Sequence, residues 1–93
     1  MKKMKQVPST HFKKDLKRLG KSGRYDLGKI KIIMDLIVTK QKLPDKCVNH
    51  KLTGFENRWD CHIEGDWVLL YELDSTTNTA YWIRTGKHSD LFG

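Results

Sequence analysis

The sequence has little cysteine, little proline and no long hydrophobic run. Its two cysteines, Cys47 and Cys61, form no CxxC motif, and without an export signal we expect them to be reduced thiols. The opening "MKKMKQVPST" has lysines with no apolar stretch after them, so we expect no secretory signal peptide and a cytoplasmic setting. The longest apolar cluster, "IKIIMDLIV", contains Lys31 and Asp35, which predicts that no segment spans a membrane.

Acidic residues are scarce in the first half of the chain. Residues 1–51 hold 15 Lys and Arg against 4 Asp and Glu, whereas residues 52–93 hold 3 against 7. The formal net charge is +7, which predicts a polyanionic partner such as nucleic acid, an anionic membrane surface or an acidic protein. The first half therefore resembles an electrostatic platform, and the second half holds most of the potentially reactive side chains.

The first half reads as helical. We predict a short edge strand at residues 5–8. A helix follows it, with Ser9 or Thr10 as its N-cap and Gly20 as its end. A second helix is predicted from about residue 26 to 41, ended by Leu43-Pro44-Asp45. The apolar positions of both helices recur at helical spacing: Phe12, Leu16, Leu19, Leu27, Ile30, Ile33, Met34 and Ile37.

From His50 onward the hydrophobic pattern has a period of two. It predicts four strands at 50–54, 58–63, 66–74 and 78–85, with turns between them. With 93 residues the chain is expected to be a single domain, residues 1–93. The predicted fold class is α+β: two N-terminal helices packed on a small, mainly antiparallel sheet of four to five strands.

The segment "HIEGD" permits two hairpin registers. A two-residue turn would pair His62 with Trp67 and mix polar with apolar groups on each face. A three-residue loop with Gly65 left-handed pairs His62 with Asp66 and gives one apolar face. We therefore predict the second register, which makes His62 and Asp66 cross-strand neighbours. Its apolar face would carry Trp59, Cys61, Trp67, Leu69, Tyr71 and Leu73.

Three of the four histidines, His50, His62 and His88, fall at predicted strand ends near Asp66. Because the ordinary pKa of imidazole, about 6.5, lies close to neutral pH, a pair of histidines can divide the roles of base and acid. His11 lies among lysines on the first helix and is expected to be solvated. A metal site is the competing interpretation, but the spacing His50-x11-His62-x3-Asp66-x21-His88 matches no compact zinc motif.

Cations and aromatic rings accompany the histidines. Positive charge beside titratable imidazoles suits a phosphodiester substrate, because it stabilises the developing phosphorane. The cations are Lys51, Arg58, Arg84 and Lys87. Trp67 and Phe92 can stack on bases as RNA-binding surfaces do, although Trp67 is also a natural core residue.

Three motifs, "HKLTG", "CHIEGDWVLLYEL" and "RTGKHSDLF", occur here in an order and at spacings that carry a resemblance. Together with the lysine-rich amphipathic first helix, they resemble the RelE-type toxins of bacterial toxin–antitoxin pairs, and more narrowly the YafQ subgroup. The resemblance covers most of the chain. The departures are small: Val68 stands where leucine is usual, and Gly93 follows the closing phenylalanine.

The resemblance implies a RelE-like fold, similar to microbial RNases, and a ribosome-dependent endoribonuclease that cuts mRNA. It places catalytic positions at His50, His62, Asp66 and His88 and site aromatics at Trp67 and Phe92. Arg84, Lys51 and Lys87 are added as substrate-binding cations on the charge argument. The expected ribosome-binding residues are Lys13, Lys14, Lys17 and Arg18.

The resemblance also implies partners: an acidic cognate antitoxin, the ribosome with its rRNA, mRNA, and operator DNA only through the antitoxin complex. No membrane partner, cofactor or metal is expected. Two alternatives stay open from the sequence. One is a nucleic-acid-binding module without turnover, supported by the basic half alone, and the other is an inactive family member.

Overall fold

A computed structural model describes residues 3–47, 50–52, 54 and 57–92. The elements in chain order are β1 (Lys5–Pro8), α1 (Thr10–Ser22), α2 (Leu27–Val38), a 3-10 turn (Asp45–Cys47), β2 (His50–Lys51), β3 (Arg58–Glu64), β4 (Trp67–Asp74), β5 (Thr79–Lys87) and α3 (His88–Phe92). The strand order in the sheet is β1-β5-β4-β3-β2. Only β1 pairs in parallel, with β5, and the other pairings are antiparallel. The predicted α+β class is confirmed.

The first helix is longer than the sequence pattern predicts. Ser9 is its N-cap and accepts a hydrogen bond from the backbone N–H of Phe12 at 3.0 Å. The predicted stop at Gly20 is wrong, because α1 continues to Ser22 and ends at Gly23, whose φ of 70° is left-handed. A Cβ built on Gly20 would lie 3.3 Å from Leu27 Cδ1, so the glycine lets the start of α2 pack closely.

The second helix is shorter than predicted and ends at Val38. The N–H of Gln41 donates to the carbonyl of Leu36, and the N–H of Lys40 donates to that of Ile37. This pair of bonds is a Schellman motif, which satisfies the last carbonyls of the helix. Its left-handed residue is Lys40, with φ 57°, where glycine is usual, so the sequence carried no stop signal there.

The hydrophobic core lies between the two helices and one face of the sheet. Phe12, Leu19, Ile30 and Ile33 from the helices are buried and belong to one cluster. The sheet contributes Cys61, Ile63, Trp67, Leu69, Tyr71, Ala80 and Trp82 to the same cluster. Both cysteines are free and fully buried. None of the helices in the described residues is long and apolar enough to cross a membrane.

The β3–β4 hairpin has the predicted faces but not the predicted register. Cys61 pairs with Leu69 and His62 with Val68, so the expected pairing of His62 with Asp66 is wrong. A bulge between His62 and Glu64 brings Glu64 opposite Trp67, and the turn is Gly65-Asp66, with Gly65 at φ 54°. The observed pairing differs from the predicted one by two residues along the strand. Such a shift preserves the face of every side chain, so face separation alone could not exclude it.

The outer edge of β5 is covered by two different elements. β1 pairs with it only as far as Trp82. Beyond that point β5 bulges at Ile83, and the Ser9 hydroxyl donates to the Ile83 carbonyl at 2.7 Å. The backbone N–H of Thr85 donates to Asp15 of α1 at 3.1 Å. Side chains of α1 and its cap thus replace the missing strand partner, which leaves the edge hydrogen-bonded.

Thr85 carries a buried hydrogen-bond relay between β4 and β5. Its hydroxyl accepts from Trp67 Nε1 at 2.8 Å and donates to the Val68 carbonyl at 2.9 Å, and Thr85 is 0% exposed. We expect Thr85→Val to lower the free energy of unfolding by about 1–3 kcal/mol, because it strands a buried indole N–H while conserving shape. Urea denaturation of both proteins measures the difference.

The matched control for this substitution is Thr10→Val. Thr10 is exposed at the first position of α1. Its substitution is expected to change stability by no more than about 0.5 kcal/mol. Equal effects of the two substitutions would contradict a stabilising role for the Thr85 relay.

Candidate active site

The C-terminal tail is fixed to the turn of the β3–β4 hairpin by a backbone hydrogen bond. The N–H of His88 donates to the carbonyl of Asp66 at 2.9 Å. This contact lies where β5 ends at Lys87 and the single turn of α3 begins. Because His88 is the first residue of α3, the hydrogen bond sets the starting position of its side chain relative to the hairpin.

Three rings gather around this contact. The His62 and His88 rings are nearly parallel, with an interplanar angle of 17° and centroids 6.3 Å apart. The Phe92 ring lies 4.6 Å from the His88 ring, and Phe92 is 41% exposed. The two predicted imidazoles and the predicted tail aromatic are therefore brought together at one end of the sheet.

The hairpin turn fixes the tautomer of His62. Its Nδ1 lies 3.2 Å from the Gly65 carbonyl oxygen. Since a carbonyl can only accept, this hydrogen bond requires the proton to be on Nδ1, which leaves Nε2 of the neutral ring as a proton acceptor. The Gly65 carbonyl that contacts His62 follows the bulge between His62 and Glu64. The arrangement can thus supply a base at Nε2 beside a second titratable ring.

Of the other two predicted catalytic residues, the structure describes Asp66 with its side chain and only the strand position of His50. Asp66 is exposed in the hairpin turn, and its backbone carbonyl holds His88. His50 lies in β2 opposite Asp60, but its side chain falls outside what the structure describes. Lys51 is exposed and pairs with Trp59 on β3.

Trp67 packs differently from the stacking role expected for it. It is 3% exposed, and its ring packs edge-on against Tyr25 at a centroid distance of 5.1 Å and an angle of 69°. A ring so enclosed leaves little surface for a base, and the stacking role of Trp67 stays a prediction. Phe92 alone of the two rings presents an accessible surface.

Arg84 is engaged by a residue that the sequence analysis did not single out. Its Nε lies 2.8 Å from Oδ2 of Asp15, and its Nη2 lies 3.2 Å from Oδ1. Asp15 is 2% exposed and also accepts from the Thr85 N–H and from Arg18 Nη1 at 3.2 Å. The hydrogen bond and charge of Asp15 raise the pKa of Arg84, so the guanidinium stays positive and is held in one orientation.

Burial of Asp15 favours its neutral form, but its partners outweigh that effect. The hydrogen bonds from Arg84 and Thr85, together with the charges of both arginines, hold the pKa of this carboxyl below its ordinary value of 3.8. Asp15 follows Phe12 by three residues and precedes Leu19 by four, so it interrupts the buried stripe of α1. A charged residue on an apolar stripe was the signal that could have identified it.

The predicted ribosome-binding cations lie along α1. Lys13, Lys14 and Lys17 are exposed, as expected for a contact surface, and Arg18 is half exposed while bound to Asp15. Lys87 is exposed at the end of β5. In the part of the chain that the structure describes, no three histidine, cysteine, aspartate or glutamate side chains converge as a metal site requires.

The comparisons with known proteins agree with this geometry. The family described as "Bacterial toxin of type II toxin-antitoxin system, YafQ" matches residues 4–93. The chain belongs to the YafQ toxin family. A curated relative, the mRNA interferase toxin YafQ of Escherichia coli K12, is 36% identical over 87 residues, which cover 91% of each chain. The resemblance inferred from the three motifs is confirmed.

Solved structures extend the likeness to three dimensions. A metal-bound toxin from Helicobacter pylori has a TM-score of 0.89 at 34% identity, covering 96% of this chain and 99% of its own. YafQ in the E. coli DinJ–YafQ toxin–antitoxin complex has a TM-score of 0.86 at 32% identity, covering 99% and 100% of the two chains. The fold of this chain is therefore that of this toxin family.

Replacement of Asp15 by asparagine tests the network around Arg84. At pH 7 we expect Asp15→Asn to lower the free energy of unfolding by about 2 kcal/mol, because it removes a charge that accepts from two arginines. The depressed pKa of Asp15 means that its stabilisation is present above about pH 4 and is lost as pH falls through the folded-state value. The difference between parent and variant should therefore shrink below pH 4.

Denaturation at a series of pH values, with Asp35→Asn as the control, measures this. Asp35 is exposed on α2. A difference between parent and Asp15→Asn that stays constant from pH 7 to pH 3 would contradict the charge-based role of Asp15.

Proposed function

We propose that this protein is the toxin of a type II toxin–antitoxin pair and acts as a ribosome-dependent endoribonuclease that cleaves mRNA. The observation that carries the proposal is the pair of nearly parallel imidazole rings of His62 and His88. The exposed ring of Phe92 lies beside His88, and a backbone hydrogen bond holds this tail to the hairpin. Curated relatives named mRNA interferase toxin YafQ support the substrate class.

The reaction we propose is attack by a ribose 2′-OH on the adjacent phosphorus. A base removes the 2′ proton as the O2′–P bond forms, and an acid protonates the O5′ leaving group as the P–O5′ bond breaks. His88 serves as the acid. The base is His50 or Asp66, and the His62 tautomer adds its Nε2 as a third candidate acceptor.

In this mechanism Arg84 stabilises the negative charge that develops on the phosphorane, and Lys51 and Lys87 are further substrate-binding cations. The side chain of Arg84 is 34% exposed and its guanidinium is oriented by Asp15, so it can meet a phosphoryl oxygen without losing its partner. Phe92 supplies a ring on which a base can stack. Trp67 acts from the core by holding Thr85 and Tyr25 in place.

The partners we propose follow from the exposed basic residues of this chain and from its related proteins. The exposed Lys13, Lys14 and Lys17, with Arg18, bind ribosomal RNA in the bacterial cytoplasm. An acidic antitoxin covers basic surface, as complementary potentials favour, and contact with operator DNA occurs only through that complex. The toxin–antitoxin complex of the E. coli relative supports the antitoxin as a partner. No cofactor or membrane partner is part of the proposal.

Substitution of His88 tests the acid assignment. We expect His88→Ala to relieve the growth arrest caused by expressing this chain alone, and to reduce cleavage of translated mRNA about 10²- to 10⁴-fold, because the leaving oxygen loses its proton donor. Growth curves and primer extension on a reporter mRNA measure the two effects at matched protein abundance.

His11→Ala is the control, since His11 is exposed on α1. It should leave toxicity unchanged. If His88→Ala remains as toxic as the parent protein, His88 is not the acid.

Metal content tests the metal-independent mechanism. Ribosomes need magnesium, so chelation during cleavage is uninformative, and elemental analysis of the pure protein is the suitable measurement. We expect less than stoichiometric zinc, copper or nickel in protein that is fully active. Stoichiometric metal that is lost together with activity in His50→Ala, His62→Ala or His88→Ala proteins would contradict the mechanism.

A further inference from the structure

A depression of about 400 Å³ lies beside the tail, between the end of α1 and the loop that leads to α2. It is lined by Arg18, Ser22, Arg24, Tyr25, Lys87 and Asp90. Lys87 stands opposite Trp67 in the β4–β5 ladder, and Trp67 belongs to the core between the sheet and the helices. The depression therefore opens on the helix side of the sheet end, whereas His62 pairs with Val68 on the opposite face.

The charge of this depression is poorly compensated. Three of its lining residues are cations and one, Asp90, is an acid. Arg18 shares the single carboxylate of Asp15 with Arg84, so one negative charge serves two guanidinium groups. Among the described residues, neither Arg24 nor Lys87 has a carboxylate within ion-pair distance. Neighbouring like charges repel, and an anionic ligand placed among them relieves that repulsion.

Local geometry keeps these cations at the edge of the depression. The guanidinium of Arg18 lies beside the start of the tail, because a Cβ built on Gly86 would be 3.4 Å from Arg18 Nη2. The α1–α2 loop is also held in place: Ser22 donates to the Leu19 carbonyl at 2.8 Å and accepts from the Arg24 N–H at 3.3 Å. The backbone around Arg24 is thus ordered before any ligand arrives.

An aromatic ring completes the lining. Tyr25 is half-buried and is held edge-on against Trp67 at 5.1 Å, so its ring is rigid beside the cations. A rigid ring next to arginine and lysine is the combination by which proteins hold single-stranded nucleic acid, with the base on the ring and the phosphate on the cations.

We propose that this depression binds one nucleotide of RNA, with its phosphate among Arg18, Arg24 and Lys87 and its base against Tyr25. The proposal rests on the proposed function and adds a binding site to it. Lys87, which lines the depression, immediately precedes His88 of the imidazole pair in the chain. Messenger RNA and ribosomal RNA share the required chemistry, and the test separates them.

The test compares Arg24→Ala with Lys31→Ala, which removes the same charge from an exposed position on α2. The first probe is a short single-stranded RNA with a 2′-O-methyl group at each position, so that it cannot be cleaved by 2′-OH attack. We expect Arg24→Ala to weaken its binding about fivefold or more, and to lower the salt slope of log K by about 0.7, the value for one lost phosphate contact on a single strand. Fluorescence anisotropy over a salt series measures both quantities.

The second probe is the ribosome itself. A loss of oligonucleotide binding by Arg24→Ala with unchanged ribosome co-sedimentation would assign the nucleotide to mRNA. A loss of co-sedimentation with unchanged oligonucleotide binding would assign it to rRNA. Either result supports the site. Behaviour identical to Lys31→Ala with both probes would overturn it.

Substitutions of Tyr25 provide an independent test of the base contact. Tyr25→Phe keeps the ring and should bind both probes as the parent does, whereas Tyr25→Leu should weaken the same probe that Arg24→Ala weakens. Far-UV circular dichroism confirms that both variants fold, and equal binding by the two folded variants would overturn the base contact. Cleavage of translated mRNA by the parent protein is scored separately. Its failure would refute the proposed nuclease activity, while Arg24-dependent RNA binding would still establish the site.

Discussion

The open edge of β5 is the constraint on which the site depends. β1 is too short to cover it, so the N–H of Thr85 would lack a partner if Asp15 did not reach it from α1. A buried carboxylate is costly unless every lone pair is used, and Asp15 meets that requirement with donors from Arg84, Arg18 and the Thr85 backbone. One side chain thereby fixes α1 to the part of β5 that leads into the tail. Without it, the strand would continue toward His88 with one edge unsupported.

The same contact sets how Arg84 behaves. A guanidinium paired with a carboxylate attracts a phosphate less strongly than a free one, because part of its charge is already neutralised. In exchange its orientation is fixed before the substrate arrives, so less side-chain entropy is lost on binding. For a group that must meet charge developing in a transition state, fixed orientation is the more useful property. Arg18 shares the carboxylate at a more exposed position, which leaves positive charge at the surface next to the tail.

The sequence predicted the features of this fold that depend on periodicity. Alternation in β3 and β4 identified both faces correctly, and helical spacing identified the buried apolar positions of α1 and α2 except Val38. The sequence did not predict the features that depend on the backbone conformation of one or two residues. The hairpin register is off by two residues because a two-residue shift keeps every side chain on its face, and α2 ends early because Lys40 adopts a conformation usually left to glycine. Asp15 was missed because its partners on β5 are 69 and 70 residues away in the chain.

In the candidate site, too, the sequence motifs predicted the residues but not the contacts that hold them. The motifs located His62 and His88, but they could not reveal that the tail is held by the Asp66 carbonyl or that the Gly65 carbonyl fixes the His62 tautomer. Both contacts come from the two-residue turn Gly65-Asp66, which follows the bulge between His62 and Glu64. The turn presents two carbonyls in succession, one to each histidine. Substitutions that alter the turn are therefore expected to change the geometry of both rings together, even where no catalytic side chain is replaced.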